Sequence, residues 1–167
     1  MEEVSSLRDV AIRDYQPARD AAALRACFVE LHEAERALEP GLPSAEEIAD
    51  LYLQRLHERC TRWRGRILVA EFDGEIAGFV SVWGRVVSEE PDRDPAPAAY
   101  VNDLVVRAPH RRRGLGRALM RAAEDYARGC GARWLGLGVL AANQAARSLY
   151  HELGFAPFHL QLRKPLA

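Results

Sequence analysis

The stretch Tyr100–Arg117, Tyr-Val-Asn-Asp-Leu-Val-Val-Arg-Ala-Pro-His-Arg-Arg-Arg-Gly-Leu-Gly-Arg, contains a strand pattern, a basic turn and a helix pattern. Residues 100–106 are rich in valine and other strand-forming side chains, which indicates a β-strand. Pro109 ends this pattern because proline has no N–H to donate to a neighbouring strand. From Leu115 to Tyr126 the apolar residues recur at helical spacing. The stretch therefore predicts a strand–turn–helix unit.

The turn between this strand and this helix has the properties of an anion site. The N–H groups of the first helical turn lack intrahelical partners, and the helix dipole makes that end partly positive. Gly114 and Gly116 carry no side chain that would keep a ligand away, and they permit positive φ. Full charges come from nearby arginines: Arg111, Arg112, Arg113 and Arg117. The pattern indicates a polyanion, and a diphosphate fits it best.

A dinucleotide site, a Walker-type loop and a nucleic-acid patch each account for this turn less well than a diphosphate site does. A dinucleotide fingerprint would need a third glycine where Leu119 stands and an acidic residue after a second strand. The lysine of a Walker-type loop is absent as well. A solvated run of arginines would not account for the glycines and the preceding strand. Nucleic acid is disfavoured, because 23 basic and 24 acidic residues give the chain little general attraction for it.

Two motifs resemble the GCN5-related N-acetyltransferase (GNAT) family. Arg111-x-x-Gly114-x-Gly116 after a strand looks like the family's pyrophosphate loop. Downstream, Asn143-x-x-Ala146-x-x-Leu149-Tyr150-x-x-x-Gly154-Phe155 is similar to the family's second motif. The motifs span residues 100–155, about a third of the chain.

The resemblance implies an acetyl-CoA-dependent N-acetyltransferase in which a primary amine attacks the thioester directly. It also implies a set of residues that bind the cofactor. In this sequence they are Leu104, Val105 and Val106 for the pantetheine arm, Arg112, Arg113, Gly114, Leu115, Gly116 and Arg117 for the diphosphate, Arg111 as a brace of the loop, and Asn143 as a hydrogen-bond partner of the arm. No metal is expected, since no Cys/His ligand set is present.

The resemblance assigns the general acid of the acetyl transfer but leaves its general base open. Tyr150 would protonate the departing thiolate, and the ordinary pKa of tyrosine near 10 keeps that proton available. Many relatives carry a Glu at the position of Asn102, and Asn cannot accept the proton of the amine. Regular alternation along a strand sends the side chains of residues 102 and 103 to opposite faces of the sheet. Asp103 would serve as the base if a bulge in the strand turned its side chain toward the cofactor. Glu71 and a water chain to bulk solvent are the substitutes.

The complete pattern predicts one mixed α/β domain over residues 1–167, in the order βααββ-βα-βα-ββ, with residues 100–155 carrying the cofactor motifs. By resemblance, the central strands Tyr100–Val106 and Trp134–Leu140 are parallel and splay apart. The remaining predicted elements are a strand at Val10–Asp14, a helix at Pro17–Leu38, a helix after Ser44, a hairpin turning at Asp73-Gly74, a helix at Asn143–Leu153, and strands at Phe155–Phe158 and His159–Pro165.

Composition places the protein in the cytoplasm and limits its partners. No run is long and apolar enough for a transmembrane helix, and the N-terminus shows no secretory signal. The three cysteines are widely spaced and are expected to be reduced. We expect a small-molecule or peptide amine as acceptor, no nucleic acid and no membrane. The resemblance allows a homodimer, although no interface signature is visible. The alternative function is a coenzyme A-binding module without turnover, for which Asn102 is the indication.

Overall fold

A computed structural model describes residues 10–89, 91–92 and 94–166. Its elements, in chain order, are β1 (Val10–Asp14), α1 (Pro17–Leu38), α2 (Ala45–Arg62), β2 (Gly65–Phe72), β3 (Glu75–Val86), β4 (Ala98–Val106), a 3₁₀ turn (Ala108–His110), α3 (Leu115–Gly129), β5 (Trp134–Leu137) and α4 (Gln144–Glu152). Among the described residues, no helix combines the length and apolar character needed to cross a membrane.

The strands form a mixed sheet in the order β1-β2-β3-β4-β5. The first four strands are antiparallel neighbours, whereas β4 and β5 run parallel. The hairpin between β2 and β3 turns at Asp73 and Gly74, whose φ angles are 51° and 78°. Two consecutive positive φ values define the turn type that matches the twist of the strands. The predicted mixed α/β fold and hairpin are confirmed.

Helices cover both faces of the sheet. On one face α1 and α2 bury apolar side chains against β2, β3 and the end of β4; the fully buried members include Leu24, Cys27, Leu56 and Phe79. On the other face α3 buries Leu119, Met120 and Ala123. The sheet is especially close at Gly78, where a Cβ would stand 2.3 Å from the carbonyl oxygen of Val105. Only glycine allows β3 and β4 to approach this closely.

A bulge interrupts the pairing of β3 with β4. Ser81 is opposite Asp103 and Val82 is opposite Val101, so Asn102 has no partner residue. An extra residue shifts the alternation of side chains by one position. Asn102 and Asp103 therefore both face α2, and the bulge on which the role of Asp103 depends is present.

Two predictions for the C-terminal part are wrong in detail. The strand predicted at Trp134–Leu140 ends at Leu137. The strands predicted at Phe155–Phe158 and His159–Pro165 are not formed, and residues 155–166 are neither helix nor strand. Pro157 and Pro165 cannot donate to a ladder.

Candidate active site

The strands β4 and β5 separate in the middle of the sheet. Their pairing joins residues 98–101 to residues 134–137, ending at the pair Val101 and Leu137. From Asn102 to Val106, β4 continues without a neighbour on that side within the described residues. The main-chain groups of residues 104–106, other than the Val106 carbonyl oxygen that accepts from Arg111, thus form an open edge of the kind that an extended ligand can pair with.

The turn after β4 is held in place by Arg111. Its Nε donates to the carbonyl oxygen of Val106 at 2.8 Å, and its Nη2 donates to Glu30 of α1 at 2.9 Å. The same carboxylate oxygen of Glu30 accepts from the backbone N–H of Ala108 at 2.6 Å. Arg111 is therefore tied to protein groups on both sides of the turn, a geometry suited to bracing it.

The start of α3 presents backbone amides. Arg112 and Gly114 have φ angles of 63° and 80°, so both lie in the left-handed region. Arg111 and Ala118 use their N–H groups in backbone hydrogen bonds, but no acceptor for the amides of residues 112–117 exists among the described residues. Gly116 lies under α4, where a Cβ would be 3.2 Å from Leu149. The turn is therefore a set of N–H donors without protein acceptors among the described residues.

The arginines around these amides differ in whether their side chains already contact other protein groups. Arg117 forms an ion pair with Glu152 of α4 at 2.6 Å. The guanidinium of Arg113 lies 5.4 Å from the ring centre of Phe72. Within the described part of the chain, the side chain of Arg112 makes no ion pair or hydrogen bond. Positive charge therefore remains available beside the free amides.

Two predicted residues lie on or next to α4. Asn143 is the N-cap, and its side-chain oxygen accepts from the N–H of Ala146 at 3.1 Å, which leaves its amide group to donate elsewhere. Tyr150 is partly buried and packs edge-on against Phe155, with 5.9 Å between the ring centres. Burial, followed by the charge of Glu35, raises the pKa of Tyr150 to about 12. The phenol therefore keeps its proton at neutral pH.

Asp103 is the centre of a polar cluster beneath α2. Its carboxylate accepts from the hydroxyls of Tyr52 and Ser81, each at 2.6 Å, and from the side-chain amide of Asn102 at 2.8 Å. Asn102 also donates to the Tyr52 oxygen at 3.0 Å. Asp103 is only 5% exposed. Its carboxylate can reach a ligand through Tyr52 or Asn102.

Sequence reasoning missed Tyr52, Ser81 and Glu35. Tyr52 follows the apolar spacing of α2, and Ser81 lies within an apolar strand. Neither pattern indicates a polar contact with Asp103. Glu35 is a half-buried carboxyl in α1 whose charge acts on Tyr150. A glutamate among the charged residues of a helix gives no sequence signal for such a position.

Glu71, the alternative base, lies on a strand that β3 separates from β4. It stands on β2 and accepts from Arg13 at 2.7 Å and from Arg19 at 2.8 Å. These hydrogen bonds, that of Arg13 first, lower the pKa of Glu71. A carboxylate held ionised by two arginines is a poor proton acceptor, and the structure does not bring Glu71 to the opening between β4 and β5.

Comparison with known proteins identifies the class to which this arrangement belongs. The model of the acetyltransferase (GNAT) family matches residues 28–155. An uncharacterized N-acetyltransferase of Bacillus subtilis, YhfO, is 36% identical over 137 residues, which are 81% of this chain and 83% of the relative.

Solved structures share the fold. A putative acetyl transferase from Pyrococcus furiosus has a TM-score of 0.74 at 24% identity, covering 94% of this chain and 99% of its own. The aminoglycoside N-acetyltransferase AAC(6')-Iy, solved in complex with CoA, has a TM-score of 0.69 at 19% identity, covering 94% of each chain. This chain belongs to the GNAT acetyltransferase family. It is an N-acetyltransferase, and so an acyltransferase.

Proposed function

We propose that this protein transfers the acetyl group of acetyl-CoA to a primary amine by direct attack on the thioester. The observation that carries the proposal is the continuity of two features: the open edge of β4 leads directly into the cradle of free amides at the start of α3. Residues 1–167 would act as one domain, with residues 100–155 holding the cofactor.

The residues present fit coenzyme A. The amides of residues 112–117 suit a diphosphate, which accepts hydrogen bonds and carries negative charge. Residues 104–106 would pair with the amides of the pantetheine arm, to which the side-chain amide of Asn143 would also donate. Arg112 would add an uncommitted positive charge. CoA is bound in the structure of AAC(6')-Iy, whose fold this chain shares, and this supports the assignment.

The chemistry would proceed without a covalent enzyme intermediate. The ammonium group of the acceptor first loses a proton, since only the neutral amine has a lone pair. Its nitrogen then attacks the thioester carbonyl, and a backbone N–H of residues 104–106 would stabilise the oxyanion. The C–N bond forms, the C–S bond breaks, Tyr150 would give its proton to the thiolate, and the second proton, shed by the acetylated nitrogen, would restore the Tyr150 hydroxyl. Asp103 would accept the amine proton through the hydroxyl of Tyr52, which bonds it directly.

Calorimetric titration with acetyl-CoA, followed by thiol release across a panel of amines, tests the proposal. We expect acetyl-CoA to bind with a micromolar Kd, and we expect the CoA thiol to be released when one class of amine is added. Binding without release on any amine, including with Asn102→Glu, would favour the alternative of a coenzyme A-binding module without turnover. Absence of binding would overturn the assignment of the cradle.

We also propose a homodimer formed through the C-terminal tail, residues 155–166. Phe158, Leu160 and Leu162 are 98%, 78% and 89% exposed, and they occupy every second position of a segment that is neither helix nor strand. Trp134, 61% exposed, lies on β5, which pairs only with β4 among the described strands. The tail is thus an apolar segment that pairs with no described strand, and β5 has one edge without a neighbouring strand. In a dimer, the tail of each copy would pair with the open edge of β5 in the other copy.

Replacing Leu160 and Leu162 together by serine is expected to convert the dimer to a monomer, because the change removes apolar surface from the proposed interface. Light scattering after size exclusion would show wild-type protein at twice the chain mass of 18.7 kDa. The control replaces the alternate positions, His159 and Gln161, by serine and should remain dimeric. A monomeric wild-type protein would refute the interface.

A further inference from the structure

Glu30 of α1 lies against the turn that connects β4 to α3. The Oε1 atom of its carboxylate accepts from the backbone N–H of Ala108 at 2.6 Å and from Nη2 of Arg111 at 2.9 Å. The other carboxylate oxygen is 3.7 Å from Nε of Arg107. Ala108 begins the 3₁₀ turn, and the first N–H of a helical turn has no partner within it. A carboxylate from a distant helix therefore satisfies the start of this turn and balances the charge of two of its arginines.

The contact between Glu30 and Arg111 is more than a surface ion pair. The Glu30 side chain is only 28% exposed. On its other side, the guanidinium of Arg111 donates from Nε to the carbonyl oxygen of Val106 at 2.8 Å. Hydrogen bonds between ionised groups are shorter and stronger than those between neutral groups. The position of Arg111 is therefore fixed jointly by the end of β4 and by α1.

The residue that follows Arg111 has a strained backbone. Arg112 has a φ angle of 63°, in the left-handed region that side chains other than glycine avoid. Such a conformation persists only where surrounding contacts enforce it. The contacts of Arg111 with Val106 and Glu30 hold the chain immediately before Arg112. Without Glu30, the turn would relax, and the free amides of residues 112–117 would no longer share one arrangement.

Resting on the proposed binding of acetyl-CoA, we propose that Glu30 is a positioning residue for the diphosphate. It acts through Arg111 and the N–H of Ala108 to hold the amides of residues 112–117 in place before the ligand arrives. Donors that are already ordered bind more tightly, because the ligand does not have to order them. Glu30 thus increases the affinity for a polyanion although its own charge is negative. Simple repulsion between Glu30 and the phosphates predicts the opposite effect.

Calorimetric titration with acetyl-CoA and initial rates of thiol release distinguish these two effects. Glu30→Ala should weaken acetyl-CoA binding about tenfold, because it removes both hydrogen bonds to the turn. KM for acetyl-CoA should rise by a similar factor while kcat stays within about twofold, since the reacting groups are untouched. Glu30→Gln should bind about threefold more weakly than wild type, because its carbonyl oxygen still accepts from Ala108 and Arg111.

The matched control is Glu124→Ala. Glu124 is 26% exposed and pairs with Arg128 in the second half of α3, so the change removes a similar ion pair away from the turn. Its acetyl-CoA affinity should equal that of wild type. A general loss of stability would lower the folded fraction in both variants, but it would not raise KM at constant kcat in Glu30→Ala alone.

Trypsin, which cleaves after arginine, reports on the same turn without any cofactor. Cleavage after residues 111–113 should be several-fold faster in Glu30→Ala than in wild type or Glu124→Ala, because a turn that is held less firmly opens more often. Equal cleavage rates, or unchanged or tighter acetyl-CoA binding in Glu30→Ala, would each overturn the proposal. Failure of wild type to bind acetyl-CoA would instead refute the proposed function, and faster cleavage of Glu30→Ala would then still show that Glu30 holds the turn.

Discussion

Gly114→Glu is expected to weaken acetyl-CoA binding by about 100-fold or more, equivalent to about 2.7 kcal/mol. Gly114 caps α3 with φ at 80°, next to the free amides that would hold the diphosphate. A glutamate there adds bulk and a negative charge where the phosphates would lie. It also adds backbone strain of about 1–2 kcal/mol, because a side chain disfavours the left-handed region. Calorimetric titration with acetyl-CoA measures the loss.

A matched variant separates the two effects of Gly114→Glu, which are the negative charge beside the free amides and the backbone strain. Gly131 also has positive φ, at 74°, and a Cβ there would meet nothing within 4 Å. Gly131→Glu therefore introduces the same residue with similar strain, but in the turn after α3. Both variants should lose similar thermal stability, while only Gly114→Glu loses acetyl-CoA affinity. Unchanged affinity in Gly114→Glu would contradict the assignment of the diphosphate site.

Tyr150→Phe is expected to lower kcat by about 100-fold, the lower range for loss of a general acid, while acetyl-CoA binding stays within about twofold. The Tyr150 hydroxyl has no hydrogen-bond partner among the described residues, so its removal breaks no protein contact. The ring of phenylalanine retains the packing against Phe155. Single-turnover rates and calorimetry on the same preparation measure both quantities.

The control for this variant is Tyr126→Phe. Tyr126 donates to the carbonyl oxygen of Arg64 at 2.6 Å, away from the opening between β4 and β5. Its removal should reduce stability by about 1 kcal/mol and leave kcat unchanged. Because the pKa of Tyr150 is raised to about 12, wild-type kcat should show no loss from Tyr150 ionisation near neutral pH. Parallel loss of binding and turnover in Tyr150→Phe would make the residue structural.

Much of the fold was predictable because its signals are local. Pro109 ends a strand, Asp73-Gly74 favours a tight hairpin, and the apolar spacing from Leu115 defines a helix, each within a few residues. The capping pattern before α2 is also present, with Glu47 accepting from the backbone N–H of Ser44 at 3.2 Å. Such features need no knowledge of distant parts of the chain.

The active site was only partly predictable. The bulge that turns Asp103 toward α2 depends on how β3 aligns with β4, and the sequence could name it only as a condition. The bond from Tyr52 to Asp103 joins residues 51 positions apart. Two strands were predicted in the tail, but whether a strand forms depends on its pairing with another strand, which the sequence does not display.

The sequence by itself determined the strand, the basic glycine turn and the helix of Tyr100–Arg117, because proline, glycine and helical periodicity act over short distances. The tertiary structure alone decided the surroundings of the two carboxyl groups. The Asp103 carboxylate accepts from three donors, whereas the carboxyl of Glu35 on α1 is half-buried and makes no hydrogen bond or ion pair among the described residues. The physical reason is that burial and pairing of a charge depend on contacts between elements far apart in the chain.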